Sequence, residues 1–234
     1  QQQVRHESNP SVHAPKSSAE KHAILLNDFD VKRAAFSKKF HISKPLEVAC
    51  FETDENGTTS YGTKNLLREF SPPPIPSDLK EGVNTFVEKD NKTSSELHRV
   101  KEAIKTCKVN LSEINIVSFR NNINKIMETP YSRNAWRINI SFENDVMYFH
   151  IVMLDREEND EQKLASYMGY KFEQLCSKQT EVKPVNPNAE FCSISSFSLH
   201  HHKILLASEV DAYKPSNPKK RKQEDSNENT STQP

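Results

Sequence analysis

Strand-like patterns of apolar and polar residues occur in three pairs of neighbouring segments, and each pair predicts a β-hairpin. Between the first two segments lies Asn56-Gly57, a dipeptide that favours tight hairpin turns. The third pair is joined by His200-His201-His202, which we interpret as a polar connection, because three adjacent histidines cannot all face one metal. The paired segments are 46–52 with 58–61, 135–142 with 146–154, and 191–199 with 203–213.

The second pair shows the clearest alternation. Its first strand carries four large apolar residues at every second position, and its second strand is almost continuously apolar from Val146 to Leu154. A hairpin with this pattern is expected to pack its apolar face on the core. The four alternating residues are Trp136, Ile138, Ile140 and Phe142.

A spacing of three to four residues between apolar positions predicts two helices. One covers residues 94–107, with Ser94 or Ser95 as its N-cap, and the other covers residues 163–176. Residues 71–76 contain four prolines, which lack the N–H donor that a helix or a central strand requires, so an extended connector is expected. The first helix is recognised by Leu97, Val100, Ile104 and Cys107 on one face.

The two ends of the chain differ in composition from the middle. Residues 1–20 and 214–234 contain almost no large apolar side chains, so we expect both to be disordered. This leaves one folded domain at 21–213. Within the second end, residues 218–222 form a basic run that resembles a nuclear-import signal, although acidic residues follow it closely.

Bulk properties narrow the class of protein. Lys plus Arg and Asp plus Glu both number 32, so a basic groove for nucleic acid would have to be local. The four cysteines form no Cys-x-x-Cys pair, which favours reduced thiols in an intracellular protein. No apolar run reaches the roughly 18 residues that cross a bilayer, so no membrane partner is expected. The chain does not begin with Met, which suggests a fragment or a processed chain.

Two carboxylates mark the end of the last predicted strand. Glu209 and Asp211 are two positions apart, so on a strand both point to one face while Val210 points to the other. Glu173, just past Gly169 at what looks like a helix start, adds a third carboxylate if the fold brings the segments together. Three converging carboxylates favour Mg²⁺ or Mn²⁺ between them and metal-assisted phosphoryl chemistry. The alternative is that these residues are ordinary solvated strand and helix ends.

Several motifs resemble the DXO family of decapping exonucleases, which act in RNA 5′-end quality control. Residues 169–173 (GYKFE), 190–194 (EFCSI) and 205–211 (LLASEVD) resemble its second and third signature blocks. Residues 119–131, with Arg120 before a helix and a Thr-Pro-Tyr turn, resemble the first block, although Asn121 replaces the usual glycine. The likeness runs from about residue 46 to 213.

The resemblance implies an α+β domain of two packed, mixed or antiparallel β-sheets with flanking helices, and a pocket that binds one or two divalent ions. By this likeness, Glu173, Glu209 and Asp211 are the catalytic metal ligands, and Arg120 binds substrate phosphate. The implied activity removes incomplete or non-standard 5′ caps from RNA and degrades the RNA from its 5′ end. The implied partners are RNA and a 5′-to-3′ exoribonuclease.

One expected block is missing. The family has a Glu-x-Lys strand after Glu-x-Asp, and no such pair follows Asp211. We interpret this as truncation, with natural loss of the catalytic half as the alternative, and expect the chain alone to have little or no activity. If this chain is the whole folded unit, the strand at 203–213 is expected to lie at a sheet edge without a neighbour. The competing hypotheses are a non-catalytic, RNA-binding or stabilising partner of an exoribonuclease, and a purely structural domain. A cytoplasmic location is expected, with the nucleus as the alternative suggested by the basic run at 218–222.

Overall fold

One seven-stranded sheet organises the computed structural model, which describes residues 41–89, 97–152, 159–178 and 183–215. The strand order is β2-β1-β6-β7-β3-β5-β4. The strands are β1 (Leu46–Thr53), β2 (Thr59–Tyr61), β3 (Ile116–Phe119), β4 (Arg137–Glu143), β5 (Val146–Val152), β6 (Glu190–Leu199) and β7 (His202–Glu209). The helices are α1 (Leu97–Thr106), α2 (Arg120–Glu128) and α3 (Asp160–Leu175), with a short 3₁₀ turn at Val83–Thr85.

The α+β class is confirmed, but the described residues form one sheet where two packed sheets were expected. The short strand β3 explains the difference. It pairs in parallel with β7 on one side and with β5 on the other, so it joins the β2-β1-β6-β7 half to the β5-β4 hairpin. The sequence pattern did not reveal β3, because four residues are too few to show a period.

The expectation that the last strand, β7, lies at a sheet edge is wrong, because β3 pairs with it. β7 pairs antiparallel with β6 from Cys192↔Glu209 to Leu199↔His202, and parallel with β3 from Ile116↔Ile204 to Phe119↔Ala207. Both sides of its backbone are therefore occupied along much of its length. Strand β7 also ends at Glu209, whereas the predicted strand continued to Tyr213.

The predicted turns are confirmed. Between β1 and β2, Gly57 adopts a φ of 83°, and the Asp54 carboxylate accepts hydrogen bonds from the Asn56 and Thr58 backbone N–H groups at 2.9 and 2.8 Å. Between β6 and β7, His200 adopts a left-handed φ of 56° in the polar histidine connection. The Pro-rich stretch 71–76 contains neither helix nor strand, as expected.

The main core lies between α1 and the sheet. Helix α1 buries Leu97, Val100, Ala103 and Ile104 against strand residues such as Phe51 and Val117. The predicted apolar face of this helix is confirmed, while the serines expected to cap it lie outside the described residues. None of the described helices has the length and apolar character of a membrane span. All four cysteines are free thiols.

The β4–β5 hairpin forms as predicted, but its apolar face does not pack on this core. Val146 and Tyr148 of β5 are buried, and they pair with Glu143 and Ser141 of β4. Because paired residues share a face of the sheet, the polar side of β4 is the one that lies on the core side. Ile140 and Phe142 consequently lie on the opposite side, where they are 59% and 67% exposed. Residues 153–154 of the predicted strand lie outside the described residues.

Helix α3 begins earlier than the sequence pattern suggested. Asn159 is its N-cap and forms a capping box with Gln162, with reciprocal hydrogen bonds of 2.9 and 3.0 Å. Gly169 therefore lies in the middle of the helix, and Glu173 lies in its last turn and not at a helix start. The expectations for residues 1–20 and 216–234 fall outside the described residues.

Candidate active site

Glu173, Glu209 and Asp211 line one cavity of about 290 Å³ at the end of β7. Glu209 is the last residue of that strand, and Asp211 follows in a bend. The Val210 N–H still donates to the Phe191 carbonyl at 2.9 Å, so β6 holds the backbone between the two carboxylates. Val210 also lines the cavity, because the chain leaves the regular strand before the predicted alternation is complete.

Helix α3, which contributes Glu173 to the cavity, packs through two tyrosines against Phe86, the residue that follows the 3₁₀ turn. The Phe86 ring packs edge-on against Tyr167, with ring centroids 5.2 Å apart, and stacks on Tyr170 at 6.0 Å. The Tyr167 hydroxyl donates to the Glu81 carbonyl, next to Gly82. Gly82 has a φ of 86°, and a Cβ there would stand 3.1 Å from that hydroxyl, so glycine fits both requirements. Glu173 lies one turn beyond Tyr170 on the same helix, at the cavity that Glu209 and Asp211 also line.

A buried ion network lies behind the carboxylates. The Lys89 ammonium donates to both oxygens of Glu209 at 2.9 and 2.7 Å, and lies 3.2 Å from Glu190. Arg99 of α1 pairs with the other Glu190 oxygen at 2.8 Å and donates to the Thr53 hydroxyl at 2.8 Å. The side chains of Lys89, Arg99 and Glu190 are at most 10% exposed, whereas that of Glu209 is 44% exposed and faces the cavity.

The cavity also carries positive side chains. Arg68, Lys178 and Lys183 are among its lining residues. Lys178 lies 3.7 Å from Glu69, and Lys183 lies 3.8 Å from Glu55, so both are loosely paired at the surface. Basic side chains are therefore present beside the carboxylates, although acidic side chains outnumber them in the cavity lining.

The carboxylates repel one another. Burial, together with the charges of Asp211 and Glu209, raises the pKa of Glu173 to about 7, and Lys89 only partly offsets this. Burial also raises the pKa of Glu209, against the opposing effect of Lys89. A charged Glu173 therefore costs free energy near neutral pH unless a cation joins the cluster.

This repulsion makes stability depend on pH. Between pH 4.5 and about 7, the folded state keeps a proton on Glu173 that the unfolded chain has released, so stability falls as pH rises through this window. Because Glu173 is partly exposed, we expect a loss of only about 1 kcal/mol. Glu173→Gln should raise the free energy of unfolding by that amount at pH 8 and leave it unchanged at pH 4, as measured by urea denaturation.

Glu128→Gln in α2 is the matched control, since Glu128 is exposed and lies outside the cavity. It should not change the difference in stability between pH 4 and pH 8. Equal behaviour of the two variants would mean that Glu173 does not feel the other carboxylates.

Arg120, predicted to bind phosphate, is the exposed first residue of α2. Arg120 follows β3 directly, and β3 runs parallel to β7. Arg120 therefore lies at the same end of these strands as Glu209. It is not among the side chains that line the cavity in the described part of the chain. Its role stays a prediction.

The carboxylate oxygens at the cavity are suitable ligands for a divalent cation, although these side chains are not arranged around one. Carboxylate oxygens are the ligands that Mg²⁺ and Mn²⁺ prefer, and the pKa of Glu173 is raised by burial first and then by the neighbouring charges of Asp211 and Glu209. Within the described ranges, no three His, Cys, Asp or Glu side chains form a group ready to hold a metal. The Glu209 carboxylate is instead held by Lys89.

Sequence reasoning missed the network formed by Lys89, Arg99 and Glu190. Arg99 gave a weak signal, because a charged residue beside the apolar stripe of α1 is unusual if that side of the helix is buried. Nothing local marks Lys89 or Glu190 as partners, since they are about 100 residues apart and meet only in the folded sheet.

The amino-acid sequence of this chain is similar to a known family of nucleases. A model of the RAI1-like PD-(D/E)XK nuclease family matches residues 43–229. The decapping nuclease RAI1 of Aspergillus fumigatus is 28% identical over 200 residues, covering 73% of this chain and 54% of that protein. The human decapping and exoribonuclease protein is 29% identical over 203 residues, covering 75% of this chain and 50% of that protein.

Solved structures share the fold. Schizosaccharomyces pombe Rai1 in complex with 3′-FADP superposes with a TM-score of 0.63 at 24% identity, over 76% of this chain and 56% of that one. Candida albicans Rai1 in complex with pU5-Mn²⁺ gives 0.65 at 19% identity, over 77% and 56%. The chain thus spans about half the length of the curated relatives it matches. The family resemblance drawn from the motifs is confirmed, and the chain belongs to the RAI1-like PD-(D/E)XK nuclease family.

Proposed function

We propose that this chain carries the acidic half of a metal-dependent hydrolase that removes incomplete or non-standard caps from RNA and degrades it from the 5′ end. The observation that supports this most is the meeting of Glu173, Glu209 and Asp211 at one cavity with basic side chains beside them. The relatives named as decapping nucleases give the proposed reaction its class.

In this proposal, Glu173, Glu209 and Asp211 hold Mg²⁺ or Mn²⁺. The ion, when bound, would polarise the scissile phosphate and make a water more acidic. Arg68, Lys178 and Lys183 bind the backbone phosphates of the RNA, since they line the same cavity. The Candida Rai1 complex with pU5-Mn²⁺ supports RNA and a divalent ion as ligands.

The activity is proposed for the whole protein, because the curated relatives are about twice as long as the segment they share with this chain. For the chain alone we expect little turnover, since no Glu-x-Lys pair follows Asp211 to complete the set of ligands expected from the family resemblance. Binding of a 5′-to-3′ exoribonuclease belongs to the same proposal.

The test is an assay of the whole protein on RNAs with a 5′ cap, a 5′ triphosphate or a 5′ monophosphate. Release of cap or nucleotides is expected with Mg²⁺ or Mn²⁺ and should stop when EDTA is added. Activity that persists in EDTA would contradict the proposed role of the carboxylates. Products that shorten only from the 3′ end would contradict the proposed direction.

A second candidate is a non-catalytic, stabilising partner of an exoribonuclease. The observation that favours it is the exposed apolar face of β4, where Ile140 and Phe142 are 59% and 67% exposed. This role predicts that changes at the cavity carboxylates leave function intact, whereas Phe142→Ser removes partner binding in a pull-down.

A further inference from the structure

Lys89 shares one ammonium group between two carboxylates of different character. Glu190, 3.2 Å away, is buried and fixed by Arg99, while Glu209 faces the cavity and accepts two hydrogen bonds from Lys89. Lysine is a compact charge on a flexible four-carbon stem, so its ammonium can move while the arginine pair stays in place.

Two carboxylates of this site are paired with cationic side chains, and two others are not. Lys89 and Arg99 neutralise Glu190 and Glu209. Glu173 and Asp211 line the same cavity and have no ion-pair partner in the parts of the chain that the structure describes. A divalent cation bound between them would balance both carboxylates in their ionised form.

A divalent ion bound at this cavity would compete with Lys89 for Glu209. Its two oxygens lie 2.9 and 2.7 Å from the ammonium. An ion bound to either oxygen at a typical Mg²⁺ distance of about 2.1 Å would therefore lie within about 5 Å of that ammonium. The Lys89 side chain is only 10% exposed, so a second cation at this distance repels its ammonium and weakens its hold on Glu209.

We propose that Lys89 is an exchangeable internal cation: it holds Glu209 in place without a divalent ion, and it moves towards Glu190 when the ion binds. This inference rests on the proposed function, because it concerns the metal of that site. It makes Lys89 a positioning residue that keeps Glu209 ordered and lowers the affinity for the ion.

Calorimetric titration of the whole protein with Mn²⁺ tests the exchange. Lys89→Met keeps most of the side-chain length and removes the charge, so Mn²⁺ should bind at least about tenfold more tightly. Lys89→Arg keeps the charge and should bind no more tightly than the unchanged protein. Lys101→Met is the matched control, since Lys101 lies outside the cavity and pairs with Glu143 at 2.7 Å, and it should leave the affinity unchanged.

A second measurement does not depend on the folding of Lys89→Met. In protein with ¹⁵N-labelled lysine side chains, the Lys89 signal, assigned by its loss in Lys89→Arg, should shift when Mg²⁺ is added. The Lys101 signal should stay unchanged.

Two results would overturn the exchange while leaving the metal site intact: equal or weaker Mn²⁺ binding by folded Lys89→Met, or a Lys89 signal that ignores Mg²⁺. No Mn²⁺ binding by any form would overturn both the exchange and the proposed function. A Lys89-dependent affinity without RNA hydrolysis would support the exchange and contradict only the proposed function.

Discussion

Glu209→Ala combined with Asp211→Ala is expected to lower the rate of cap and nucleotide release by the whole protein by about 10³-fold or more. Both side chains line the cavity, and together they supply two of its three proposed metal ligands. Their loss would leave Glu173 alone at the end of α3, and one carboxylate does not hold Mg²⁺ or Mn²⁺ firmly. The measurement is single-turnover release of cap and of mononucleotides at saturating Mn²⁺.

Circular dichroism must show that the double variant is folded, because it relieves the repulsion on Glu173 but removes one of the two carboxylates that pair with the buried Lys89 ammonium. Glu102→Ala with Glu113→Ala is the matched control, since both residues are exposed and lie outside the cavity. Full activity in the cavity variant would reject these residues as ligands and favour the stabilising-partner role. An equal loss in the control would point to a general effect of lost negative charge.

Arg99→Met is expected to lower the free energy of unfolding by about 3–5 kcal/mol, as is typical when one member of a buried ion pair is removed. The change deletes the 2.8 Å contacts with Glu190 and Thr53 and the packing of the guanidinium over the Phe51 ring, 5.3 Å from its centre. Among the described residues, Glu190 would then keep the more distant Lys89 ammonium as its one ion-pair partner. Urea denaturation followed by circular dichroism measures the loss.

Arg99→Met combined with Glu190→Gln should be more stable than Arg99→Met alone, because the second change removes the buried carboxylate charge that the lost guanidinium had balanced. Arg137→Met, on the exposed start of β4, should change the free energy of unfolding by less than about 0.5 kcal/mol. A loss as small in Arg99→Met as in this control would show that the network does not stabilise the fold.

Much of the fold could be predicted from local patterns in the sequence. The Asn56-Gly57 turn, the histidine connection and the apolar face of α1 depend on neighbours in the chain, and all three are found as expected. Motif order also identified the family, and it led to the prediction of the three carboxylates as metal ligands. The start of α3 was placed too late because the capping box at Asn159 lies before the stretch that resembles the family.

Long-range features were misjudged for a common reason. Strand β3 is too short to show a period, yet it makes β7 a central strand and unites the sheet. The face of β4 that meets the core depends on its register with β5, and the buried residues of β5 pair with polar partners. Alternation in a sequence defines two faces but not which of them the rest of the molecule covers.

The sequence by itself determined the hairpins, two of the helices and the family, because turn chemistry, apolar periodicity and motif spacing are properties of short segments; the role of the three acidic residues stays a prediction. Only the tertiary structure decided that these carboxylates line one cavity, and that Lys89, Glu190 and Arg99 form a buried network behind them. The physical reason is that charges about 100 residues apart interact only when chain folding removes water and brings them within a few ångströms.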